Sequence, residues 1–282
     1  MTNTVGTLWV VATPIGHLGD LSARAREVLG AVMLIAAEDT RHTAQLLLHY
    51  GIRTRIVALH EHNESSIAPS LVARLLAGED LALVSDAGTP LLSDPGFVLV
   101  RMAREAKVRV APVPGPSALM AALSVSGLPI TRFAFEGFLP AKPGARRARL
   151  AALAGESRTL VFYEAPHRLK ELLEDLEAAF GAQRPAVLAR ELTKLHETVL
   201  DGTVGTLLAR VRTDVDQSRG EIVVIVAGNE ADEAQALASG KRLYRLLCAE
   251  LAPARAARIA AEFTGAPRKA LYAPGAYPDA TD

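Results

Sequence analysis

Short apolar runs alternate with longer amphipathic stretches along most of this 282-residue chain, and this alternation constrains the fold more than any other feature. Apolar runs separated by helical stretches are typical of α/β units rather than of a helical bundle or a β-sandwich. The runs form two sets, which span residues 8–12, 32–37, 55–60, 81–85 and 108–113, and then residues 133–138, 159–164, 186–192, 197–202 and 221–228. The sequence therefore predicts two α/β domains.

A proline-rich segment separates the two sets of runs. Residues 112–116 read Pro-Val-Pro-Gly-Pro, a composition that interrupts both helices and strands. We therefore predict an N-terminal α/β domain over residues 1–116 and a second α/β domain over residues 117–230. Residues 229–240 are small and polar and predict a linker, so that residues 231–282 form a linker and a basic helical tail.

Loops that follow strands are the first places to look for a ligand site, because open α/β sheets bind ligands beyond the carboxyl ends of their strands. Three such loops, at residues 13–20, 85–96 and 162–168, are rich in Gly, Pro, Asp and Thr. Asp94-Pro95 within the second loop predicts the start of a helix. No glycine-rich phosphate-binding pattern follows the first strand, so the ligand is expected to be polar and to lack a polyphosphate.

Composition narrows the class of protein further. Lys plus Arg and Asp plus Glu each number 31, so the net charge is zero and binding of nucleic acid through bulk charge is excluded. The single cysteine, Cys248, cannot form an internal disulfide, which favours a cytoplasmic protein. No apolar run approaches the ~20 residues that span a bilayer, so no membrane partner is expected.

Six motifs together resemble a known family. They are Ala12 to Gly16, Ala37 to Arg41, His60 to Glu64, Ser85 to Gly96, Pro114 to Ala118 and Phe162 to Arg168. Their order is similar to that of the tetrapyrrole-methylase superfamily. Within it the chain resembles the ribosomal RNA small-subunit methyltransferase I family, the 16S rRNA cytidine-2′-O-methyltransferases, over about residues 5–230. One departure is His17, where the family usually has asparagine.

The resemblance implies a two-domain α/β fold of the class III methyltransferase type, with S-adenosylmethionine bound in the cleft between the domains and a homodimer as the usual assembly. It also implies a set of cofactor-binding residues, carried over motif by motif. These are Pro14, Ile15, Gly16, Asp86, Ala87, Gly88, Thr89, Pro90, Ser117, Ala118, Tyr163 and Arg190.

Methyl transfer to a ribose 2′-hydroxyl requires positioning, and a base near that hydroxyl adds to the rate. Four side chains near the predicted cleft are candidates for the base, and the sequence does not choose among them: Glu38, Asp39, Glu164 and His167. Arg41 and Lys194 are candidate cations that orient a phosphate or lower a pKa. Together with Glu164 from the list of bases, they form the predicted catalytic set. Methyl transfer needs no metal, and His60, His62 and Glu64 are not predicted to bind one.

Two basic segments predict contact with RNA phosphates despite the neutral total charge. The first is a helix near the start of the second domain, and residues 241–269 form the second. The predicted substrate-binding residues are Lys142, Arg146, Arg147, Arg149, His167 and Arg168. The expected partner is 16S rRNA or the small ribosomal subunit.

Two alternative functions remain open from the sequence. A methyltransferase acting on a tetrapyrrole or corrinoid precursor shares the superfamily motifs, but a small macrocycle does not need two basic segments. A non-catalytic RNA-binding ribosome-assembly factor could keep the fold. The complete loop at residues 85–96 argues against that second alternative, since a protein without a cofactor has no use for it.

Overall fold

The computed structural model describes residues 5–272, apart from the side chains of residues 215, 218, 230–234 and 272. Its first half contains a five-stranded sheet in which every pairing is parallel, with the order β3-β2-β4-β1-β5. The strands are β1 (Thr7–Val11), β2 (Leu34–Ala37), β3 (Ile56–Ala58), β4 (Leu81–Val84) and β5 (Arg109–Val113). Because β1 and β4 are neighbours, the loops after their carboxyl ends lie side by side.

Helices cover both faces of this first sheet. They are α1 (Ala23–Ala31), α2 (Thr40–His49), α3 (Glu64–Leu76) and α4 (Phe97–Glu105). Leu34, Ala36 and the other side chains of one face pack with α3 and α4. Ile35 and Ala37 belong to the opposite face and pack with α1 and α2. This alternation is the period-two pattern of a sheet buried on both sides.

The second sheet is mixed, with the order β6-β7-β10-β8-β9. Only β6 and β7 pair in parallel, and the other pairs are antiparallel. Its strands are β6 (Phe133–Phe138), β7 (Thr159–Glu164), β8 (Pro185–Arg190), β9 (Thr198–Thr203) and β10 (Ile222–Val226). The helices of this half are α5 (Ala118–Val125), α6 (Pro143–Leu153), α7 (Leu169–Phe180) and α8 (Val204–Thr213).

The two faces of the second sheet have different partners. Leu160, Phe162 and Leu188 face α6, α7 and α8 and form the largest apolar cluster. Val161, Val187 and Ala189 face the other way, where they pack with α5 and with Ile15 from the first half. The second sheet therefore contacts the first half through the loop that follows β1.

The α/β class and all the predicted strands are confirmed, but two details of the predicted secondary structure are wrong. Helix α4 begins at Phe97, and its N-cap residue is Gly96 rather than the predicted Asp94. Residues 229–240 are not a linker, since helix α9 spans Glu230–Cys248. The domain boundaries stay predictions, and residues 273–282 of the predicted tail lie outside the described residues.

The tail forms a small unit of its own. Helix α9 packs against α10 (Pro253–Thr264), and a 3-10 turn at Arg268–Tyr272 closes the pair. Tyr244 and Leu271 are fully buried together with three alanines of α10. Alanine, leucine and glutamate favour helix over coil, and burial of an apolar stripe against α10 supplies the packing that a linker would lack.

Candidate functional site

The loops after β1 and β4 are joined to each other by backbone hydrogen bonds. Thr13 N donates to Gly88 O at 2.9 Å, and Gly88 N donates to Thr13 O at 3.0 Å. Gly88 has a φ of +80°, and a Cβ there would lie 3.2 Å from Cγ2 of Ile15. Only glycine fits this left-handed conformation and close approach without strain. The residue type at position 88 therefore fixes how the two loops meet.

A cavity of about 320 Å³ opens between the two sheets next to this junction. Its lining is mostly apolar or small, with polar groups concentrated on the loop after β4. The first half contributes Ile15, Ala87, Gly88, Thr89, Leu92, Ser93 and Asp94; Ser117 and Ala118 lie at the start of α5; and the second half contributes Phe138, Tyr163 to Pro166, Ala189, Leu192 and Gly220 to Val223. Concave sites with few, well-placed polar groups are typical of small-molecule binding.

Tyr163 forms one wall of this first cavity. Its hydroxyl accepts a hydrogen bond from Leu119 N at 3.0 Å, and Phe135 packs edge-on against the ring with centroids 4.8 Å apart. Burial raises the pKa of Tyr163. The phenol is therefore neutral at ordinary pH, and its ring is held in place from two sides.

A second cavity of about 360 Å³ continues the first on the side of α2. It is lined by Pro14, Gly16, Asp86 and Lys194, and it shares Ile15, Ala87 and Glu221 with the first cavity. A Cβ on Gly16 would lie 2.4 Å from Cγ of Lys194, so glycine lets the two halves approach here. The shared residues make the two cavities one cleft.

Three carboxyl groups converge where β2 and β4 end. Asp86 accepts a hydrogen bond from Asp39 N at 2.9 Å, and Asp94 lines the first cavity. Burial raises the pKa of Asp94 to about 6, and the charge of Asp86 adds to the shift. The pKa of Glu38 is also raised to about 6, first by burial and then by Asp86 and Asp94. This edge of the cleft favours a cationic ligand.

Ten of the twelve residues predicted to bind the cofactor line the cleft. Ile15, Ala87, Gly88, Thr89, Ser117, Ala118 and Tyr163 line the first cavity, and Pro14, Gly16 and Asp86 line the second. Pro90 is buried and lines neither cavity. The prediction for Arg190 is wrong: its neighbour Ala189 faces the cavity, so Arg190 points to the opposite face, where its Nε donates to Oγ1 of Thr198 at 3.2 Å.

Among the predicted catalytic residues, Glu164 lies at the first cavity, and its role as a base stays a prediction. Glu164 borders the first cavity, but its side chain is fully buried, accepts from Ala165 N at 2.8 Å and pairs with Nε of Arg168 at 3.2 Å. Burial raises the pKa of Glu164, and its Oε2 has no hydrogen-bond partner among the described residues. One carboxylate oxygen of Glu164 therefore stabilises the turn after β7, and the other is left without a partner in the described residues.

The two predicted catalytic cations lie on the second-cavity side of the cleft. Lys194 lines that cavity and pairs with Glu191 at 2.9 Å and Glu221 at 3.3 Å. Arg41 pairs with Asp39 at 2.7 Å, and its side chain is 88% exposed at the start of α2. The hydrogen bonds from Arg41 hold the pKa of Asp39 well below its usual range, so Asp39 is a poor base. The roles of Arg41 and Lys194 stay predictions.

Two of the predicted substrate-binding arginines are held in structural contacts, which argues against their predicted role: Arg146 is buried, and the side chain of Arg168 is 18% exposed. Arg146 is 2% exposed and pairs with Asp175 at 2.7 Å and Glu171 at 3.0 Å. Arg168 pairs with Glu164 and donates to Leu139 O at 2.8 Å, which fixes the segment between β6 and α6. Neither guanidinium is free to contact a phosphate.

The remaining predicted substrate-binding residues are accessible. Lys142, Arg147 and His167 are exposed, and Arg149 is half exposed although it pairs with Glu136 at 2.6 Å. His167 follows Pro166, which lines the first cavity, and Lys142 precedes α6 four residues after Phe138. We expect Lys142 and His167 to form a basic rim at the mouth of the cleft, because each lies within four residues of a residue that lines the first cavity. Contact of these side chains with RNA stays a prediction.

Sequence reasoning missed Phe138, Glu221 and the role of Asp94 as a cavity side chain. Asp94 preceding a proline is a common helix cap, and Glu221 appeared only as the first residue of a strand. Phe138 carried one usable signal, the neighbouring Gly137, because a glycine inside a strand often marks a bulge. Phe138 and Glu221 lie outside the motifs on which the resemblance rests, whereas Asp94 lies within one of them, Ser85 to Gly96.

Over residues 5–272, no group of three or more His, Cys, Asp and Glu side chains is arranged to hold a metal ion. The rings of His60 and His62 contact each other edge-on with centroids 6.1 Å apart. Within the same residues, no helix has both the length and the apolar character needed to cross a membrane.

Comparison with known proteins places the chain among methyltransferases. Residues 7–208 match the family model "Tetrapyrrole (Corrin/Porphyrin) Methylases", and residues 233–274 match "RsmI C-terminal HTH domain". The chain is 62% identical to the ribosomal RNA small subunit methyltransferase I of Xylella fastidiosa (strain Temecula1), over 96% of this chain and 99% of that protein. The protein of the same name from Escherichia coli O157:H7 is 54% identical, over 96% of this chain and 94% of that protein.

A solved structure shows the same fold at low identity. It is a uroporphyrin-III C-methyltransferase from Thermus thermophilus, in complex with S-adenosylhomocysteine, with a TM-score of 0.54 and 20% identity. The match covers 79% of this chain and 97% of that one. The similarity establishes the two-sheet fold, whereas the relatives of high identity establish the family.

Proposed function

We propose, from the premise that this chain belongs to the ribosomal RNA small subunit methyltransferase I family, that it methylates the 2′-hydroxyl of a cytidine ribose in 16S rRNA. S-adenosylmethionine is the methyl donor. The observation that carries the proposal is the match to the X. fastidiosa relative over 96% of the chain, combined with a continuous cleft between the two sheets that ten of the expected cofactor residues line.

The residues of the cleft fit S-adenosylmethionine. When bound, this cofactor supplies an electrophilic methyl carbon on a positively charged sulfonium. Small residues such as Gly88 and Ala118 leave room for a ligand, and Tyr163 supplies an aromatic wall. The buried Oγ of Ser117 faces the first cavity and makes no hydrogen bond within residues 5–272, so it is available to a ligand. The carboxyl groups of Asp86 and Asp94 suit a cationic donor.

The chain must also remove a proton from the ribose hydroxyl. In the reaction the bond from O2′ to the methyl carbon forms, the bond from carbon to sulfur breaks, and the hydroxyl proton leaves. Asp94 lines the first cavity, and a carboxyl group with a pKa of about 6 is ionised at pH 7 yet basic enough to share that proton. Glu38 has the same raised pKa but does not line either cavity, which makes Asp94 the better candidate.

The RNA would approach from the basic rim of the cleft. Lys142 and His167 are exposed close in sequence to cavity residues, and the exposed Arg147 follows on α6. These cations can contact phosphates while the target ribose enters the cavity. The tail adds exposed Arg255 and Arg258 on helix α10, in the part of the chain that matches a helix-turn-helix model. We expect a cytoplasmic homodimer that acts on 16S rRNA or on the small ribosomal subunit.

The test is incubation with labelled S-adenosylmethionine and either naked 16S rRNA or small subunits from a strain that lacks the enzyme. Nucleoside analysis should then find the label in 2′-O-methylcytidine. A label on a base would contradict ribose methylation. Transfer to a tetrapyrrole and to no RNA would favour the corrinoid-type alternative, and cofactor-independent RNA binding without transfer would favour an assembly factor.

A further inference from the structure

Phe138 presents an exposed aromatic ring at the mouth of the cleft. It is 54% exposed and lines the first cavity. Its ring contacts that of Tyr163 edge-on, with centroids 5.7 Å apart. Tyr163 in turn is held by Leu119 N, so the inner side of Phe138 rests on a fixed support while its outer side is open. Exposing a phenyl ring to water is unfavourable unless a ligand covers it.

A β-bulge puts Phe138 on this face of the sheet. Along β6, Phe135 pairs with Val161, but the next paired residue is Gly137, which lies opposite Phe162. Strict alternation would place Phe138 with Ala134, toward helices α6 and α7. The extra residue instead aligns Phe138 with Tyr163 on the cavity side. Bulges next to functional sites commonly redirect one side chain in this way.

Contacts on both sides of the strand hold the bulge. Gly137 has a φ of +63°, and a Cβ there would lie 3.0 Å from Oγ of Ser93 on the loop after β4. The extra residue, Glu136, points toward α6, where Arg149 donates to its Oε2 from Nη2 at 2.6 Å and from Nε at 3.0 Å. The position of Phe138 is therefore fixed by the backbone and by a charged pair, not by packing of the ring alone.

We infer that Phe138 is the platform on which the nucleobase of the target nucleotide stacks. This inference rests on the proposed function, since it assumes an RNA substrate. A ribose hydroxyl can reach a cavity only when its nucleotide leaves the helical stack, and unstacked bases are commonly held by aromatic side chains. The exposed Lys142 lies four residues further along the chain and suits the phosphate of the same strand.

The position of the Phe138 ring favours the nucleobase over the cofactor as the group that stacks on it. Ile15, Ala118 and Val223 enclose the interior of the cavity, whereas Phe138 stands at the exposed side next to the basic rim. The inference thus names a substrate-binding residue that discriminates between stacked and unstacked nucleotides.

The test compares Phe138→Ala, Phe138→Tyr and Phe138→Trp with the unaltered protein. We expect Phe138→Ala to raise KM for small subunits about 5-fold or more, because one stacked base is worth roughly that factor or higher. The tyrosine and tryptophan variants should retain a KM near the original value. Met33→Ala is the matched control, since Met33 is 58% exposed but precedes β2 at the opposite end of the first sheet. Calorimetry should give the same Kd for S-adenosylmethionine in all variants.

A binding measurement makes the outcome independent of turnover. A fragment of 16S rRNA with pyrrolocytosine at the methylated position should lose fluorescence with the unaltered protein and with Phe138→Trp, but not with Phe138→Ala. Unchanged RNA binding and an unchanged KM in Phe138→Ala would overturn the inference. A higher Kd for S-adenosylmethionine with unchanged RNA binding would also overturn it, because Phe138 would then be a cofactor contact. If the change in pyrrolocytosine fluorescence depends on Phe138 but no methyl group is transferred, the proposed function is wrong and the inference about Phe138 still holds.

Discussion

The hydroxyl of Tyr163 accepts a hydrogen bond from the backbone N–H of Leu119 at 3.0 Å, and this bond links the second sheet to the first turn of α5. Helix α5 begins directly after the proline-rich segment, and Ser117 and Ala118 at its start line the first cavity. A side chain of β7 therefore positions residues that come from the junction between the two halves. The geometry of the cleft depends on both halves at once.

Tyr163→Phe tests this link. Removal of the hydroxyl leaves Leu119 N without its acceptor, which should lower the free energy of unfolding by about 1 kcal/mol. The affinity for S-adenosylmethionine should fall about 5-fold, because α5 is less well fixed. Urea denaturation and calorimetry measure the two effects. Ser70→Ala is the control, since it removes an exposed hydroxyl on α3 that donates to Ile67 O within the same helix. Equal cofactor affinities in both variants would show that the link does not position the site.

Asp86→Ala should weaken cofactor binding. The Asp86 carboxylate accepts from Asp39 N at 2.9 Å, lines the second cavity and contributes negative charge to the cleft. We expect a rise in Kd of about 10-fold, which corresponds to the loss of one charge-assisted hydrogen bond. Asp201→Ala removes an equivalent charge from the exposed edge strand β9 and should leave Kd unchanged. Identical calorimetric titrations of the two variants would mean that the site lies elsewhere.

Asp94→Asn should change the dependence of stability on pH. Because the pKa of Asp94 is about 6 in the folded protein, above its ordinary value, its favourable contribution is complete below pH 4 and is lost as the pH rises through 6. The variant should therefore exceed the ligand-free unaltered protein in stability at pH 7, by about 1 kcal/mol after allowance for solvent screening, and match it at pH 4. Urea denaturation at both pH values gives the comparison. A variant that is less stable at pH 7 would mean that the carboxylate is not desolvated.

Arg146→Ala and Arg147→Ala should separate stability from RNA binding. Arg146 is buried between Asp175 and Glu171, so its removal leaves a carboxylate unpaired and should cost about 3 kcal/mol of unfolding free energy. Arg147 is exposed next to it in sequence, and its loss should leave stability within ~0.5 kcal/mol while reducing the salt dependence of RNA binding. Denaturation curves and filter binding at several salt concentrations measure both. The reverse pattern would restore Arg146 as a phosphate contact.

Much of the cleft could be predicted from the sequence because the features that build it are local. The apolar runs predicted all ten strands, and Gly16 and Gly88 marked loops where the backbone must approach another chain segment closely. Parallel strands bring the loops after β1 and β4 to one edge of the first sheet. The individual cofactor residues came from the resemblance to the family, and ten of them line the same cleft.

The remaining features depend on contacts between residues that are distant in sequence. Arg146 belongs to a basic segment in which every arginine looks exposed, and only the packing of α6 against α7 brings Asp175 to it. The direction of Arg190 is set by its place in β8, and the direction of Phe138 is set by a bulge that one glycine allows. Patterns of composition do not determine on which face such side chains lie.

The central claim is tested most directly by nucleoside mass spectrometry of small subunits from a strain that lacks the enzyme, after incubation with S-adenosylmethionine and either the unaltered protein or Asp86→Ala. The account predicts one new 2′-O-methylcytidine in 16S rRNA with the unaltered protein, and much less of it with the variant at limiting cofactor. Methylation of a base, or an equal yield from the two proteins at every cofactor concentration, would contradict it.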